Sequence, residues 1–385
     1  MNKLPDNWEL KTLSEVGDII GGGTPNTTKE EYWNGDILWV IPSEVTSLPT
    51  KYLYTTERKI TELGLKNSSA KIIKPNSLII CTRATIGDCC INRNEVSTNQ
   101  GFKSIIPNEN YDVVFLYYLI SNSKQKLISK ASGTTFLEIS KSNLANLTFN
   151  FPPLEEQKRI ASALSKVDAY LENTIKLTES KERFKRAIAK KLLTCKENKN
   201  VPEARFEGFE DEWETKILNS IATIKKGEQR NKLDLIPNGK YPVLNGGTNF
   251  SGYYNSYNRE ANTITISEGG NAGYVNFIKE RFWSSGHCYT LHDIKIDKLF
   301  LYQCLKNSEK RLMKLQLGTA LKNIQISEIR EFELNMPKSI KEQEKIGEFL
   351  SLLDTEIDNL KKQAESIKRL KKGLMKKLMS GEIRV

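Results

Sequence analysis

The chain is written twice. Displaced by 186 residues, 155–195 lies on 341–381 without a gap, and 15 of those 41 positions are identical. The identities include Glu156/Glu342, Gln157/Gln343, Ile160/Ile346, Leu164/Leu350, Asp168/Asp354, Arg183/Arg369 and Lys190-Lys191-Leu192/Lys376-Lys377-Leu378. Upstream, at a displacement of 185, Gly133-Thr134 meets Gly318-Thr319, Ile139 meets Ile324 and Ser142 meets Ser327. Further back the match weakens: Leu78-Ile79-Ile80 and Gly87 face Ile264-Thr265-Ile266 and Gly273, and Trp8-Glu9 meets Trp213-Glu214 at a displacement of 205. A long-period repeat restricts the fold before any motif is considered, because each copy has to be a comparable structural unit. Each half is one large segment followed by one repeated segment. The repeated segments are alike and the large ones have diverged, a pattern that suggests a shared scaffold carrying two different readers.

The repeated segments read as long helices. Ile346, Leu350, Leu353, Ile357, Leu360, Ala364 and Ile367 follow a 4-3 alternation, a heptad seam. The first copy gives Ile160, Leu164, Val167 and Leu171, then polar Thr174 and Thr178 in the same register. Ser339 followed by Glu342 has the form of a capping box. Pro152-Pro153 with Glu155 and Glu156 suits a first turn, where proline is tolerated and acids are favoured by the helix dipole. Gly347 and Gly373 each weaken the second helix by about 1 kcal/mol relative to alanine, too little to overturn the seam. About 39 residues make roughly 60 Å of helix. Both helices end in bases, Lys185, Arg186, Lys190 and Lys191 in one and Lys371, Lys372, Lys376 and Lys377 in the other. Those bases suit a solvated helix C-terminus, or a contact with phosphates or an acidic partner. The simplest packing lays the two seams antiparallel against each other, although a seam alone could equally make a homodimer.

The large segments mix strand and helix. IKPNSLIICT, DILWVIP, NTITIS and AGYVNFI are strand-like between glycine and asparagine turns. VVFLYYLISNSKQKLI and KLFLYQCLKNSEKRLMKL are helix-like, and each precedes a Gly-Thr loop. The expected class is α+β, with an internal pseudo-two-fold repeat.

Composition narrows the function. The 58 bases exceed the 47 acids by 11, which points to a polyanionic partner. The excess lies in residues 155–199 (12 bases, 7 acids) and 338–385 (12 bases, 8 acids). No apolar run approaches the roughly 18–20 residues of a membrane helix, and the opening MNKLPDNWELKTL lacks a signal peptide's apolar stretch. A cytoplasmic protein is expected, with no membrane contact. Six cysteines are too few for a disulfide scaffold of this size, and His287 and His292 leave little room for histidine-based chemistry. No GxxxxGK[ST] loop and no GxGxxG turn is present. Asn150-Phe151-Pro152-Pro153 has the wrong order for the Asn-Pro-Pro-aromatic motif of amino methyltransferases. Cys89-Cys90 are adjacent, unlike zinc-ligand spacing, and His287-Cys288 would face opposite ways on a strand. Neither a metal site nor a catalytic residue is expected.

Polar and basic residues concentrate at loop-like positions. In the first half these are Thr24, Asn26, Thr27, Thr82, Arg83, Thr85, Asn99, Gln100 and Lys103. The second half offers Lys225, Lys226, Arg230, Asn231, Asn245, Asn249, Asn271, Arg281 and His287. Arginine suits guanine, Asn and Gln suit adenine, and Lys and Thr suit phosphates. Trp33, Tyr253, Tyr254, Tyr257 and Trp283 could pack against a backbone or base. Taken singly, each of these residues also fits an ordinary surface or core role.

Several motifs resemble one family. Trp8-Glu9-Leu10-Lys11-Thr12-Leu13, Gly22-Gly23-Thr24-Pro25 and Trp39-Val40 resemble the opening of specificity subunits of type I restriction–modification enzymes. So do Pro152-Pro153-Leu154-Glu155-Glu156-Gln157-Lys158-Arg159-Ile160, Phe206-Glu207-Gly208-Phe209 before Trp213-Glu214, and Glu342-Gln343-Glu344-Lys345-Ile346. The resemblance covers the whole chain. It implies two mixed α/β target recognition domains, 1–150 and 201–336, joined by two long antiparallel coiled-coil helices in conserved regions 151–200 and 337–385. The domains would read the two parts of a split, asymmetric site in double-stranded DNA, and the stiff helix pair would set the unread spacer. Two modification subunits would bring S-adenosylmethionine and the adenine methyltransferase site. Restriction subunits would bring ATP, Mg and cleavage. This chain would then bind no cofactor and be no enzyme itself. The second half departs from the pattern, with Lys226-Gly227-Glu228 where the first has its Gly-Gly-Thr-Pro loop. Two other readings remain: a coiled-coil scaffold that binds only proteins, and the remnant of a single-chain restriction–methylation enzyme.

Overall fold

The half-length repeat is a repeat of architecture. The computed structural model describes Pro5 and residues 7–133, 137–196, 199–318 and 322–385, the side chain of Lys232 apart. Thr134 and Thr319 of the two Gly-Thr loops lie outside the described residues. Two compact units are present, Met1–Asn173 with Ala364–Val385, and Thr174–Gln363, so the division falls inside both long helices.

In the first unit a five-stranded sheet runs in the order Gly17–Gly21, Phe102–Pro107, Leu78–Cys81, Cys89–Asn92, Tyr52–Leu53. A second sheet has the order Lys59–Ile60, Trp33–Val40, Val96–Thr98, the last two parallel. Leu78–Cys81 is apolar throughout because both its faces are covered. Alternation sends Leu78 and Ile80 to a core with Phe115 and Leu116, and Ile79 and Cys81 to a core with Val40 and Phe102.

The second unit repeats this plan. Thr223–Lys226, Cys288–His292, Thr263–Ser267 and Val275–Ile278 form one sheet, and Gly252–Tyr254, Tyr241–Leu244 and Trp283–Ser284 the other. Tyr241–Leu244 is again parallel to its neighbour. Both units close with an antiparallel ribbon, Glu9–Thr12 on Thr148–Phe151 and Glu214–Ile217 on Glu333–Met336.

Each apolar helix starts on an aspartate, Asp112 Oδ1 accepting from Phe115 N at 2.8 Å and Asp297 Oδ1 from Phe300 N at 2.7 Å. Each breaks at a serine that the apolar pattern did not reveal. Val113–Asn122 stops at Ser123 before Lys124–Ile128, and Lys298–Asn307 stops at Ser308 before Glu309–Met313.

The long helices are Leu154–Leu193 and Ile340–Met379. In the first unit Ile160 and Leu164 are buried with Leu378 and Met379, and Lys371 Nζ lies 2.5 Å from Asp168. The start of one helix therefore packs on the end of the other. In the second unit Ile346, Leu350 and Leu353 share a core with Ala189 and Leu192, and Lys185 Nζ lies 2.5 Å from Asp354. The pairing is antiparallel in both, and Lys371–Asp168 and Lys185–Asp354 are one contact made twice, 186 residues apart. Burial tilts the Asp168 carboxyl upward, but the hydrogen bonds from Lys371 and Tyr118, with the Lys51 charge, hold its pKa below the ordinary value.

Along the seam Ile357, Ala364 and Ile367 are buried, and Val167, Leu171 and Leu360 half-buried. Thr174 and Thr178 are buried too, with Thr178 Oγ1 donating to the Thr174 carbonyl at 2.7 Å. That back-bond satisfies a hydroxyl placed in an apolar seam. Glu342, which the sequence places in a capping box with Ser339, has its carboxylate bound from outside the helix. Arg205 binds both carboxylate oxygens of Glu342 at 2.8 and 2.7 Å, and Trp213 Nε1 donates to Oε1 at 3.3 Å. Arg384 binds Glu156 in the same two-pronged way at 2.9 and 2.7 Å.

Candidate nucleic-acid interface

In the first unit, strand Gly17–Gly21 leads into a loop that its own backbone pins down. A Cβ on Gly22 would lie 2.0 Å from the Asn99 carbonyl, so only glycine fits there. Gly23 N donates to the Thr98 carbonyl at 2.8 Å, and Trp39 Nε1 to the Gly23 carbonyl at 3.1 Å. Trp33 Nε1 reaches the Asn26 carbonyl at 3.2 Å, and Asn26 Oδ1 closes a turn on Thr28 N at 3.0 Å. Thr24 Oγ1 donates to Gln100 Oε1. Thr24, Asn26, Thr27 and Gln100 are thereby gathered as exposed groups over a rigid base, with Asn99 beneath them capping Gly101 N at 2.9 Å.

The other first-half candidates divide. Thr82 is fully buried and its Oγ1 donates to the Gly101 carbonyl, which makes it a structural residue. Thr85 is half-buried in the following turn. Arg83 Nε and Lys103 Nζ converge on Glu138 at 2.6 and 3.5 Å, so one carboxylate offsets two cations.

The second unit keeps the same loop under a different sequence. Gly227 stands where Gly22 stands: its Cβ would lie 2.2 Å from the Ser285 carbonyl. Glu228 N donates to the Ser284 carbonyl at 2.9 Å, and Trp283 Nε1 to the Glu228 carbonyl at 2.8 Å. Ser285 Oγ donates to Gln229 Oε1 at 3.3 Å, where in the first loop Thr24 Oγ1 donates to Gln100 Oε1. The missing Gly-Gly-Thr-Pro motif is thus a change of side chains on a retained backbone.

Here too a carboxylate gathers the bases. Glu268 meets Lys226 Nζ at 2.5 Å, Tyr289 Oη at 3.1 Å and His287 Nδ1 at 3.5 Å. His287 is exposed in the turn before the strand that Cys288 begins, Cys288 is buried, and burial pushes the Cys288 thiol up to about 11. Lys225, Asn231, Asn249 and Asn271 are exposed. Asn245 lines a cavity of about 390 Å³ with Arg230, Gln229 and Ser285, and its enclosed Oδ1 has no partner. Arg281 stands apart, bound to Glu260 at 2.8 Å and stacked on Tyr257. Tyr254 and Trp283 meet edge to face at 5.6 Å beneath Arg230.

Sequence reasoning missed Arg58, whose guanidinium lies over Trp33 at 4.2 Å and Trp39 at 5.1 Å. It also missed Glu138 and Glu268. The pair of tryptophans six residues apart was the available signal for Arg58; nothing local marks the two glutamates. Each unit therefore offers a pinned loop of exposed hydrogen-bonding groups, a stacked arginine and a partly neutralised basic cluster. Such a surface can position on phosphates and read base edges. Among the described residues no group of three His, Cys, Asp or Glu side chains is placed to hold a metal ion, and no helix is long and apolar enough to cross a membrane.

Comparison with known proteins agrees with this picture. The family model for the type I restriction modification DNA specificity domain matches twice, over residues 5–179 and 210–369. The specificity subunit of the type I restriction enzyme MjaIX of Methanocaldococcus jannaschii is 28% identical, over 100% of this chain and 95% of that one. The specificity subunit of EcoR124I/EcoR124II of Escherichia coli is 33% identical over 43% of this chain and 42% of its own. In fold, the chain is similar to the S subunit of a type I restriction–modification system from M. genitalium, with a TM-score of 0.66 and 20% identity, covering 98% and 97% of the two chains.

Proposed function

The chain belongs to the type I restriction modification DNA specificity family, and from that premise we propose that it reads a bipartite, asymmetric site in double-stranded DNA, one part through each mixed region. The observation that carries the reading is the loop built twice on the same backbone with different side chains, Thr24, Asn26 and Gln100 in one unit and Gln229 and the half-buried Arg230 in the other. Equal frames with unequal exposed groups suit two unequal half-sites. Phosphate contacts would set each region on the duplex, and a few side chains would choose the bases.

In this reading the helix pair docks two modification subunits, and restriction subunits join that assembly. Methyl transfer from S-adenosylmethionine and the ATP- and Mg-dependent steps belong to those partners, while this chain supplies the address and no reacting group.

The test is modified-base sequencing of DNA from a methylation-free host carrying the modification gene of the same locus, with and without this chain. A split adenine-methylated motif that appears only with the chain is expected. Exchanging residues 1–150 for those of another family member should change one half of the motif. No motif from two soluble, copurifying proteins, together with no DNA binding at low salt, would overturn the reading.

A further inference from the structure

We propose that Arg58 and Arg230 are the guanine-reading residues of the two mixed regions, one for each part of the DNA site; the proposal rests on the DNA-reading function above and goes on to name the base. Most arginines of these regions spend their N–H groups on the protein. Arg83 binds Glu138, Arg93 binds Asn76, Arg259 binds Thr290 and two carbonyls, and Arg281 binds Glu260. Among the described residues the guanidinium groups of Arg58 and Arg230 make neither a hydrogen bond nor an ion pair. Arg58 is exposed, and Arg230 is half-buried at the cavity it lines with Asn245, its enclosed Nε without a partner.

Both lie over a pair of aromatic rings that meet edge to face, Trp33 with Trp39 and Tyr254 with Trp283. Arg58 lies 4.2 Å from the Trp33 ring centre and 5.1 Å from that of Trp39. Arg230 lies 4.1 Å from Trp283 and 4.8 Å from Tyr254. A guanidinium packed against two rings set close to a right angle has little room to swing, so its donor fork is pre-aimed before any ligand arrives.

The two also occupy equivalent stations. Beneath Arg58 the Trp39 indole holds the Gly23 carbonyl, and beneath Arg230 the Trp283 indole holds the Glu228 carbonyl. These carbonyls correspond, each following the close-packed glycine, Gly22 or Gly227. Each arginine is thus fixed to the loop that carries the exposed polar groups of its unit.

A planar, unpaired and pre-aimed donor fork matches the two adjacent acceptors, O6 and N7, that guanine alone presents in the major groove. A phosphate can also accept from both arms of the fork, and substitution separates the two cases, because only a base contact relaxes the motif at a single position. The neighbouring cations are poorer candidates, because Glu138 and Glu268 already engage Arg83, Lys103 and Lys226.

The experiment is modified-base sequencing of the same methylation-free host carrying the modification gene with wild-type chain, Arg58→Ala, Arg58→Lys, Arg230→Ala or Arg230→Lys. The wild-type motif should contain a G·C pair in each part. Arg58→Ala should make one such pair degenerate in one part only, and Arg230→Ala one in the other part, each with a roughly 5- to 150-fold loss of discrimination there. The lysine variants keep the charge but lose the planar fork, so they should relax the same positions, and they decide the matter if an alanine variant fails to fold. An unchanged motif, a motif part without any G·C pair, or uniformly weaker methylation at an unchanged motif would overturn the proposal, the last marking a phosphate contact. If the wild-type chain gives no motif, the underlying function fails, and this inference with it.

Discussion

The two mixed regions fasten the same loop carbonyl with an indole, but the indole comes from different strands. Trp39 lies on Trp33–Val40 in the first region, and Trp283 on Trp283–Ser284 in the second. Those strands correspond to the two members of one parallel pair, in which Trp39 faces Ser97 and Val243 faces Trp283. The tryptophan has crossed the pair while its bond has stayed in place. The helix contacts behave differently: Gln157 and Gln343 bind Asp112 N and Asp297 N at 3.0 Å each, and Lys371–Asp168 and Lys185–Asp354 recur residue for residue. Where a contact sets the frame, both partner and address repeat. Where it supports the exposed loop, only the geometry does.

The largest effect should come from the buried carboxylates. Glu342 is enclosed and bound by Arg205, whose side chain is 15% exposed, and by Trp213; Glu156 is bound by Arg384, 49% exposed, and the Trp8 Nε1 nearby has no partner. Glu342→Ala should cost about 3–5 kcal/mol, because it strands a half-buried guanidinium and an indole N–H. Glu156→Ala should cost clearly less. Thermal unfolding of both variants checks the order, and equal losses would mean that the two carboxylates are equivalent after all.

Trp39→Phe and Trp283→Phe sharpen the loop comparison. Each removes an indole donor from a loop carbonyl, the buried one of Gly23 or the part-buried one of Glu228, at about 1–3 kcal/mol, and each should weaken DNA binding through its own half of the motif alone. A loss confined to one of the two variants would break the equivalence of the loops.

The two glycines of the second helix look alike in sequence and differ in space. A Cβ on Gly347 would lie 2.6 Å from Phe300 N and 2.7 Å from Asp297 Oδ1, whereas one on Gly373 would meet nothing within 4 Å. Gly347→Ala should cost about 1–3 kcal/mol by overpacking, although the first helix carries Ala161 at the matching position. Gly373→Ala should add about 1 kcal/mol. Denaturant midpoints of the two variants should move in opposite directions.

The smallest effect concerns acid. The folded-state pKa of Asp168 is lowered, so its contribution is complete above the unfolded carboxyl value and is lost as pH falls through the depressed one. Lys371→Met removes a main cause of that shift. Its stability should depend less on pH below about 4 than the wild type does, and an unchanged acid limb would deny the ion pair its role.

Much of the frame was legible in the sequence because burial writes a period. Ile160 and Leu164, Ile346 to Ile367, and the apolar run Leu78–Cys81 announced helix and strand before any contact was known. The serine breaks at Ser123 and Ser308 were not legible, since serine is ordinary in either a helix or a cap. Nor was the end use of polar groups. Thr82 and Arg83 are neighbours in sequence, yet one is fully buried against Gly101 and the other is exposed and tied to Glu138. A polar side chain's partner is set by distant strands, and no local pattern records it. Arg58 escaped notice for the same reason, its two tryptophans becoming a platform only when Trp33–Val40 folds beneath it.

The division of the chain also has a consequence for its synthesis. The second unit is one continuous stretch, Thr174–Gln363, and can close as soon as that stretch has left the ribosome. The first unit draws on Ala364–Val385, and its core lacks Leu378 and Met379 until those residues have emerged as well. The amino-terminal region, though made first, must wait with apolar surface uncovered while more than half of the polypeptide is added. The unit built from Met1–Asn173 is therefore completed after the one that follows it in sequence, and loss of Ala364–Val385 would spoil a region some two hundred residues upstream.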